Sequence, residues 1–352
     1  MNSARNTPLR YVSETWQQEI IGVPAIFMAL GVFLLYPGKY IIGHFFNPPL
    51  DRTILDGLGI ILVLFALYVV ARFGAQLWLD ARVLWNFSPG HFRIGTWVAA
   101  VNIVAVVMVP IVPPVAIIAH LLAWLLWCVY MVWLMKMVVR GELKGGNLTG
   151  TVFLVTVATQ SLVVGCMTVF AGHIEDLLPV LIVINVLGII FYWISFALTW
   201  VVGGFVEPLV HWVPQNNITH GALSITMLAA QMIENSMPGS LPYFHFVIQA
   251  AWVITCLLLL SSLIYEIFLI TNRKQPLLRF QPGNYARNFT YGMFFACSYY
   301  GYVYSHPSIM KTVMNPPALL ALGFLVLLVN VWEVMNHIST VLMPRTRLQG
   351  AR

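Results

Sequence analysis

The sequence predicts an all-α polytopic membrane protein with ten transmembrane helices, and three observations support this prediction. Hydrophobic residues make up 60% of the 352 residues and charged residues only 9%, whereas soluble domains are about half apolar and about a quarter charged. The apolar residues form runs of roughly 20, the length that a helix needs to cross a bilayer. These runs recur along nearly the whole chain, which excludes a soluble enzyme, a disordered chain and a single-span receptor.

Residues typical of turns separate most of the apolar runs. In chain order these breaks are Tyr-Pro-Gly at 36–38, Asn-Pro-Pro at 47–49, Ser-Pro-Gly at 88–90, Gly-Gly at 145–146, Pro-Gly at 238–239 and Asn-Pro-Pro at 315–317. Pro113-Pro114 separates the third and fourth runs, although this pair would also suit a kinked continuation of one helix. The predicted spans cover residues 20–36, 54–77, 94–112, 114–136, 150–171, 178–203, 218–234, 243–270, 287–305 and 317–341.

The transmembrane domain therefore covers residues 20–341, between an N-terminal segment 1–19 and a C-terminal tail 342–352. The basic residues indicate its orientation. With ten spans, Lys39, Arg52 and Lys311 lie on one side, and the other fifteen of the 18 Lys and Arg lie on or beside the side that holds both termini. Because basic loops stay in the cytoplasm, we expect both termini there. The net charge of +6 thus needs no nucleic-acid partner. The short termini without a signal peptide favour a bacterial inner (plasma) membrane.

The odd-numbered spans have no Asp, Glu, Lys or Arg in their interiors and are rich in small and neutral polar residues. Small residues let helices pack closely in lipid, so close packing alone would explain any one of these spans. The same character in all five favours a shared central surface. We therefore expect five helical hairpins around a central pore. The residues expected to line it are Met28, Asn102, Thr156, Thr159, Gln160, Ser224, Leu228, Gly292 and Ala296.

Ionisable residues lie in the even-numbered spans, where a charge in lipid is costly unless it is paired. Glu333 is the deepest of them, and His337 follows it by about one helical turn. Glu333 forms either a buried salt bridge or interhelical hydrogen bond, or it takes part with His337 in a proton relay.

The sequence contains no pattern of metal ligands, phosphate-binding loop or nucleophile motif. We therefore expect a protein that is not an enzyme and that has no metal and no cofactor. A haem-binding membrane protein is a competing class, but His120, His245 and His337 occupy unmatched depths in the predicted spans.

Three segments carry a resemblance to a known family. Residues 221–230 read GALSITMLAA, residues 289–294 read FTYGMF and residues 151–165 read TVFLVTVATQSLVVG. They resemble the seventh, ninth and fifth spans of the tellurite-resistance/C4-dicarboxylate transporter family, which includes the plant slow-type anion channels. The first is similar to Gly-Ala-x-Ala-Ile-Thr-x-Leu-Ala-Gly and the second to Phe-Pro-Leu-Gly-Met-Tyr. Thr290 departs from the second pattern, in which many members have Pro.

The resemblance, over about residues 20–341, implies a homotrimer in the lipid bilayer with one pore per subunit. The odd helices would line the pore, and a Phe of the ninth span would close it near mid-membrane. This residue corresponds to Phe289, or to Tyr291 if the alignment shifts by two. The implied function is a gated channel or passive exporter for small inorganic or organic anions. The alternative is a proton-coupled carrier of C4-dicarboxylates or of oxyanions such as sulfite or tellurite. A carrier normally needs a charged residue at its substrate site, which only an inward-turned Arg72 would supply.

Overall fold

The computed structural model describes residues 24–79, 92, 94–141, 148–202, 204, 207–237, 242–272, 283–304 and 309–342. Within these ranges the regular structure is helical and no strand is present. The ten long helices are α1 (Pro24–Phe45), α2 (Leu50–Leu79), α3 (Ile94–Met108), α4 (Pro113–Val139), α5 (Gly150–Val169), α6 (Ile174–Phe196), α7 (Ile218–Ser236), α8 (Pro242–Asn272), α9 (Asn284–Tyr304) and α10 (Pro316–Leu342). The predicted segment 1–19, the tail beyond residue 342 and the turns at 88–90, 145–146 and 238–239 lie outside the described residues.

Each long helix lies at one of the predicted apolar runs, with one clear difference at α1. The Tyr-Pro-Gly motif predicts that the first span ends at residue 36, but the helix continues to Phe45. The chain accommodates Pro37 in a π-helical turn, Leu34–Gly38, since the wider turn tolerates a residue that lacks a backbone donor. The Pro113-Pro114 pair does start a separate helix, because α3 ends at Met108 and Pro113 opens α4.

Seven of the described helices are long and apolar enough to cross a bilayer, namely α1, α2, α4, α5, α6, α8 and α10. The chain is therefore a multi-pass helical membrane protein. The helix α3 is apolar but has only 15 residues. The helices α7 and α9 are less apolar, and both are largely buried by their neighbours. A helix that contacts protein rather than lipid can carry more polar residues, which explains their weaker hydropathy.

The odd-numbered helices contact one another in a closed cycle. The helix α3 packs on α5, α5 on α7, α7 on α9, and α9 on the π-helical turn of α1. The cycle closes where α1 meets α3, at Gly31 and Ile103. We call these five helices the inner ring.

The even-numbered helices pack outside the inner ring. For example, α4 packs on α3 and α5, and α10 packs on α9 and α1. Burial follows this arrangement, because 89% of the most apolar stretch of α5 is buried but only 11% of that of α2. The outer helices therefore present apolar side chains to the lipid, and the inner ring is shielded from it.

Glycines allow the inner helices to approach one another closely. A Cβ built on Gly95 of α3 would lie 2.7 Å from the backbone oxygen of Leu154 in α5, and one on Gly221 of α7 would lie 2.2 Å from the Thr290 side chain in α9. Gly292 of α9 faces Val32 of α1 in the same way. These contacts require glycine for space, as is common between helices in membranes.

We expect Gly95→Ala to destabilise the protein, because the added methyl group meets backbone that cannot move without separating α3 from α5. Overpacking of this kind costs about 1–3 kcal/mol. Gly57→Ala is the matched control, since a Cβ added at Gly57 within α2 would meet no atom within 4 Å. Thermal unfolding of the purified variants in detergent checks this. We expect a lower Tm for Gly95→Ala only. Equal Tm values for the two variants would contradict the close contact of α3 and α5 at Gly95.

Candidate functional site

A small cavity lies at the centre of the inner ring and is lined by all five of its helices. Its volume is about 30 Å³, room for about two water molecules at roughly 10–15 Å³ each. The lining residues are Val32, Leu35 and Tyr36 of α1, Ala99, Asn102, Ile103 and Val106 of α3, Ser161, Val164 and Gly165 of α5, Ile225 of α7, and Phe289 and Met293 of α9. None of these residues carries a charge. The central cavity is thus small, neutral and mostly apolar.

Asn102 is a polar group of the cavity wall, and contacts to other helices hold it in place. Its side-chain amide donates to the backbone oxygen of Ser161 on α5. Its Oδ1 atom lies 2.7 Å from Nδ1 of His120 on the outer helix α4. Gly165 leaves the space for this arrangement, since a Cβ there would overlap the Asn102 amide. A cavity residue is in this way connected to the outer layer of helices.

Phe289 lies on the cavity wall and is 1% exposed. Met293, one turn further along α9, lines the same cavity. Tyr291, the alternative position, points elsewhere. Its ring stacks on His220 of α7 with a centroid distance of 6.0 Å and an interplanar angle of 19°. Of the two residues considered for the gate, the structure places only Phe289 at the central cavity.

Two of the predicted pore-lining residues lie between helices instead. Trp127 of α4 donates from Nε1 to Oγ1 of Thr159 at 3.0 Å. Gln160 exchanges two hydrogen bonds with Asn185 of α6, each 3.0 Å long. Both side chains therefore face outer helices, because the polar face of α5 that the spacing identifies packs against α4 and α6 rather than the axis.

The remaining predictions divide into one residue at the cavity and six near it. Asn102 lines the cavity as expected. The other six are buried within the inner ring but are not part of the cavity wall: Met28, Thr156, Ser224, Leu228, Gly292 and Ala296. Sequence reasoning missed the apolar lining residues, such as Ile103, Val106, Val164 and Ile225. These residues could have been found from their spacing of three or four residues along α3 and α5. A search for polar groups overlooks apolar residues of this kind.

A buried charged cluster joins α8, α9 and α10. Arg287 Nη1 lies 3.4 Å from Glu266 Oε2, and Arg287 Nη2 lies 3.5 Å from Glu333 Oε2. All three side chains are at most 7% exposed. Glu333 is thus in a buried salt bridge, one of the two interpretations that the sequence left open. We call these three residues the charged cluster.

Neutral donors surround the charged cluster. Asn284 Nδ2 donates to Glu333 Oε1 at 3.0 Å, Asn217 Nδ2 donates to Glu266 Oε1 at 2.7 Å, and Trp212 Nε1 reaches the same oxygen at 3.4 Å. His337 lies close by, with Nδ1 3.4 Å from the hydroxyl of Tyr285. Two carboxylates share one guanidinium, so the cluster has a formal charge of −1 when both carboxylates are ionised. The relay interpretation of Glu333 and His337 stays a prediction.

The histidines considered for haem lie on three different outer helices. His120 on α4 contacts Asn102 and accepts from Trp124 Nε1 at 3.0 Å. His245 on α8 lies 3.7 Å from Glu234, and His337 is on α10. Within the described residues, no group of three His, Cys, Asp or Glu side chains is arranged to hold a metal ion.

Comparison of the chain with protein-family models gave no match, and comparison with curated proteins also gave none. The resemblance to the tellurite-resistance/C4-dicarboxylate transporter family therefore stays a prediction from short motifs.

We expect Arg287→Met to destabilise the protein strongly, because it leaves Glu266 and Glu333 buried without a cation. Removing one partner of a buried ion pair costs about 3–5 kcal/mol. Adding Glu266→Gln and Glu333→Gln to this variant should restore part of the loss. Arg52→Met is the control, since Arg52 is exposed at the start of α2. Thermal unfolding in detergent measures all of these variants. If the charged cluster does not stabilise the folded protein, Arg287→Met will have the same Tm as Arg52→Met.

Proposed function

We propose that this protein passively conducts small anions along the axis of the inner ring and that Phe289 closes the path. The observation that carries the proposal is the central cavity, to which all five inner helices contribute and at which Phe289 lies. A path enclosed by five helices and shielded by five more is a suitable route through a bilayer. The cavity of about 30 Å³ corresponds to the closed state.

The neutral cavity wall is suited to anions that pass through without being bound tightly. Conduction requires an ion to be bound strongly enough to enter and weakly enough to leave. The described wall offers no carboxylate to favour a cation and no Lys or Arg to hold an anion. Tyr36 and Asn102 are neutral residues of the wall whose side chains carry O–H or N–H donors.

The opening step that we propose is a rotation of the Phe289 side chain, or a small movement of α1 opposite it. The π-helical turn of α1 contributes Leu35 and Tyr36 to the cavity wall. Turns of this kind are often found at functional sites. Displacing the Phe289 ring joins the cavity to the space on either side of it.

The wider assembly follows the same proposal. The helices α1 to α10 all span the bilayer and form five hairpins. These include the 15-residue α3 and the more polar α7 and α9. Both termini lie in the cytoplasm of a bacterial cell, the bilayer is the inner membrane, and three subunits associate with one pore each.

A second candidate function is a proton-coupled carrier of C4-dicarboxylates or oxyanions. The observation that favours it is the charged cluster, whose two carboxylates share one arginine in a buried position. The cluster lies on the outer side of α9, between two outer helices, whereas Phe289 lies on the inner side. A carrier would need a change in the charged cluster to alter the path along the axis of the inner ring. The channel is the simpler function for this geometry. The side chain of Arg72 lies outside the described residues.

We expect Phe289→Ala to raise anion flux several-fold in liposomes, because it removes the ring that closes the cavity. Phe294→Ala is the matched control on the same helix, since Phe294 is also buried but stacks on Trp252 of α8. Flux of chloride, nitrate and sulfite is measured with and without a pH gradient. The channel requires flux that increases in Phe289→Ala only and that does not depend on the gradient.

Two results would contradict this proposal. Unchanged flux in folded Phe289→Ala protein, with Tyr291→Ala also unchanged, would exclude the gate. Flux that requires both a dicarboxylate and a proton gradient, and that is lost in Glu333→Gln, would identify the carrier instead.

A further inference from the structure

A second, larger cavity lies outside the inner ring, at the end of the protein where α4 and α6 begin. Its volume is about 480 Å³, within the range of about 300–1,000 Å³ typical of small-molecule sites. It is lined by His120, Leu121 and Trp124 of α4, by Cys166 and Phe170 at the end of α5, and by His173, Asp176, Leu177, Val180 and Leu181 of the segment that leads into and forms α6. We call it the lateral pocket.

The walls of the lateral pocket reach the surface that faces the lipid. Leu121 is 56% exposed and Val180 is 53% exposed. Both residues are on outer helices whose other exposed side chains are also apolar, such as Leu125 and Val183. A molecule that enters the pocket from this side comes from the bilayer, and most of its contacts in the pocket are with apolar side chains.

One end of the lateral pocket is polar and acidic. His173 and Asp176 are exposed pocket residues at the start of α6, and the exposed Glu175 lies between them in sequence. The carboxylate of Asp176 gives this end a negative charge, and Glu175 adds to it. An ammonium group complements this charge, whereas a phosphate group without an amine is repelled.

His120 at the inner side of the pocket is already engaged by the protein. Nδ1 lies 2.7 Å from the Asn102 oxygen, and Nε2 accepts from Trp124. Both ring nitrogens therefore have partners, so the occupant meets an apolar surface here rather than a free ligand group. The polar recognition falls to the other end, at His173 and Asp176.

We propose that the lateral pocket binds one acyl chain of an amine-bearing phospholipid, phosphatidylethanolamine, with its ammonium group beside Asp176. The apolar walls bind the chain, the exposed opening on α4 and α6 admits it from the bilayer, and the acidic end selects the headgroup. This binding does not depend on the proposed transport activity, because the pocket and the central cavity are lined by different residues.

Photocrosslinking tests this proposal with the protein in bilayers of phosphatidylglycerol, a lipid that has no amine. Trace phosphatidylethanolamine that carries a diazirine on its acyl chain is activated by light, and mass spectrometry locates the labelled residues. We expect label concentrated on the residues of the lateral pocket. Val180→Trp fills the pocket and should reduce this label several-fold. Val183→Trp is the control, since Val183 is an exposed α6 residue outside the pocket.

The headgroup is tested with the same diazirine chain on phosphatidylglycerol. We expect several-fold less label in the pocket from this anionic probe, and Asp176→Asn should reduce the difference between the two probes. Label spread evenly over the outer helices, or label that persists in Val180→Trp, would overturn the proposed site. Equal labelling by the two probes would overturn the proposed recognition of the amine.

Discussion

Close contact among the five inner helices is the constraint on which the remaining structure depends. Lipid tails are as apolar as leucine, so no hydrophobic force draws helices together inside a bilayer, and association depends on packing and on interhelical hydrogen bonds. Gly95 and Gly221 supply the packing, since a methyl group at either position would overlap the neighbouring helix. The reciprocal pair of Gln160 and Asn185 supplies hydrogen bonds between layers. The central cavity is small because these contacts leave little space at the axis.

The arrangement also separates neutral from charged polar groups. The inner face of the ring is neutral at the described central cavity, and the charged cluster lies on the outer side of α9. Burying ions is costly, and buried ion pairs add little stability compared with apolar residues of similar size. The two functional interpretations differ in their use of this separation. A channel requires only the neutral axis, whereas a coupled carrier requires the charged cluster as well.

The positions of the helices could be predicted from the sequence because each apolar run has the length of a span. Pro37 is misleading, since a π-helical turn accommodates a proline that would otherwise end a helix. The direction of each side chain is harder to predict. Helical spacing places Thr156, Thr159 and Gln160 on one face of α5, but it cannot show that Thr159 bonds to α4 and Gln160 to α6. Arg287 reads from the sequence as a residue at a span border, and its burial depends on two glutamates from other helices. Phe289, which lies at the central cavity, is singled out by a motif resemblance rather than by helical spacing.

The closed inner ring is the central claim, and a disulfide between α1 and α9 tests it most directly. A Cβ added at Gly292 would lie 3.6 Å from Cβ of Val32, within the range of about 3.5–4.5 Å for a disulfide. In a chain whose four native cysteines are replaced by alanine, Val32→Cys with Gly292→Cys should form this bond on mild oxidation. Val32→Cys with Gly57→Cys should not. A folded protein in which the first pair stays reduced, or in which both pairs react equally, would contradict the contact between α1 and α9 and with it the closed ring.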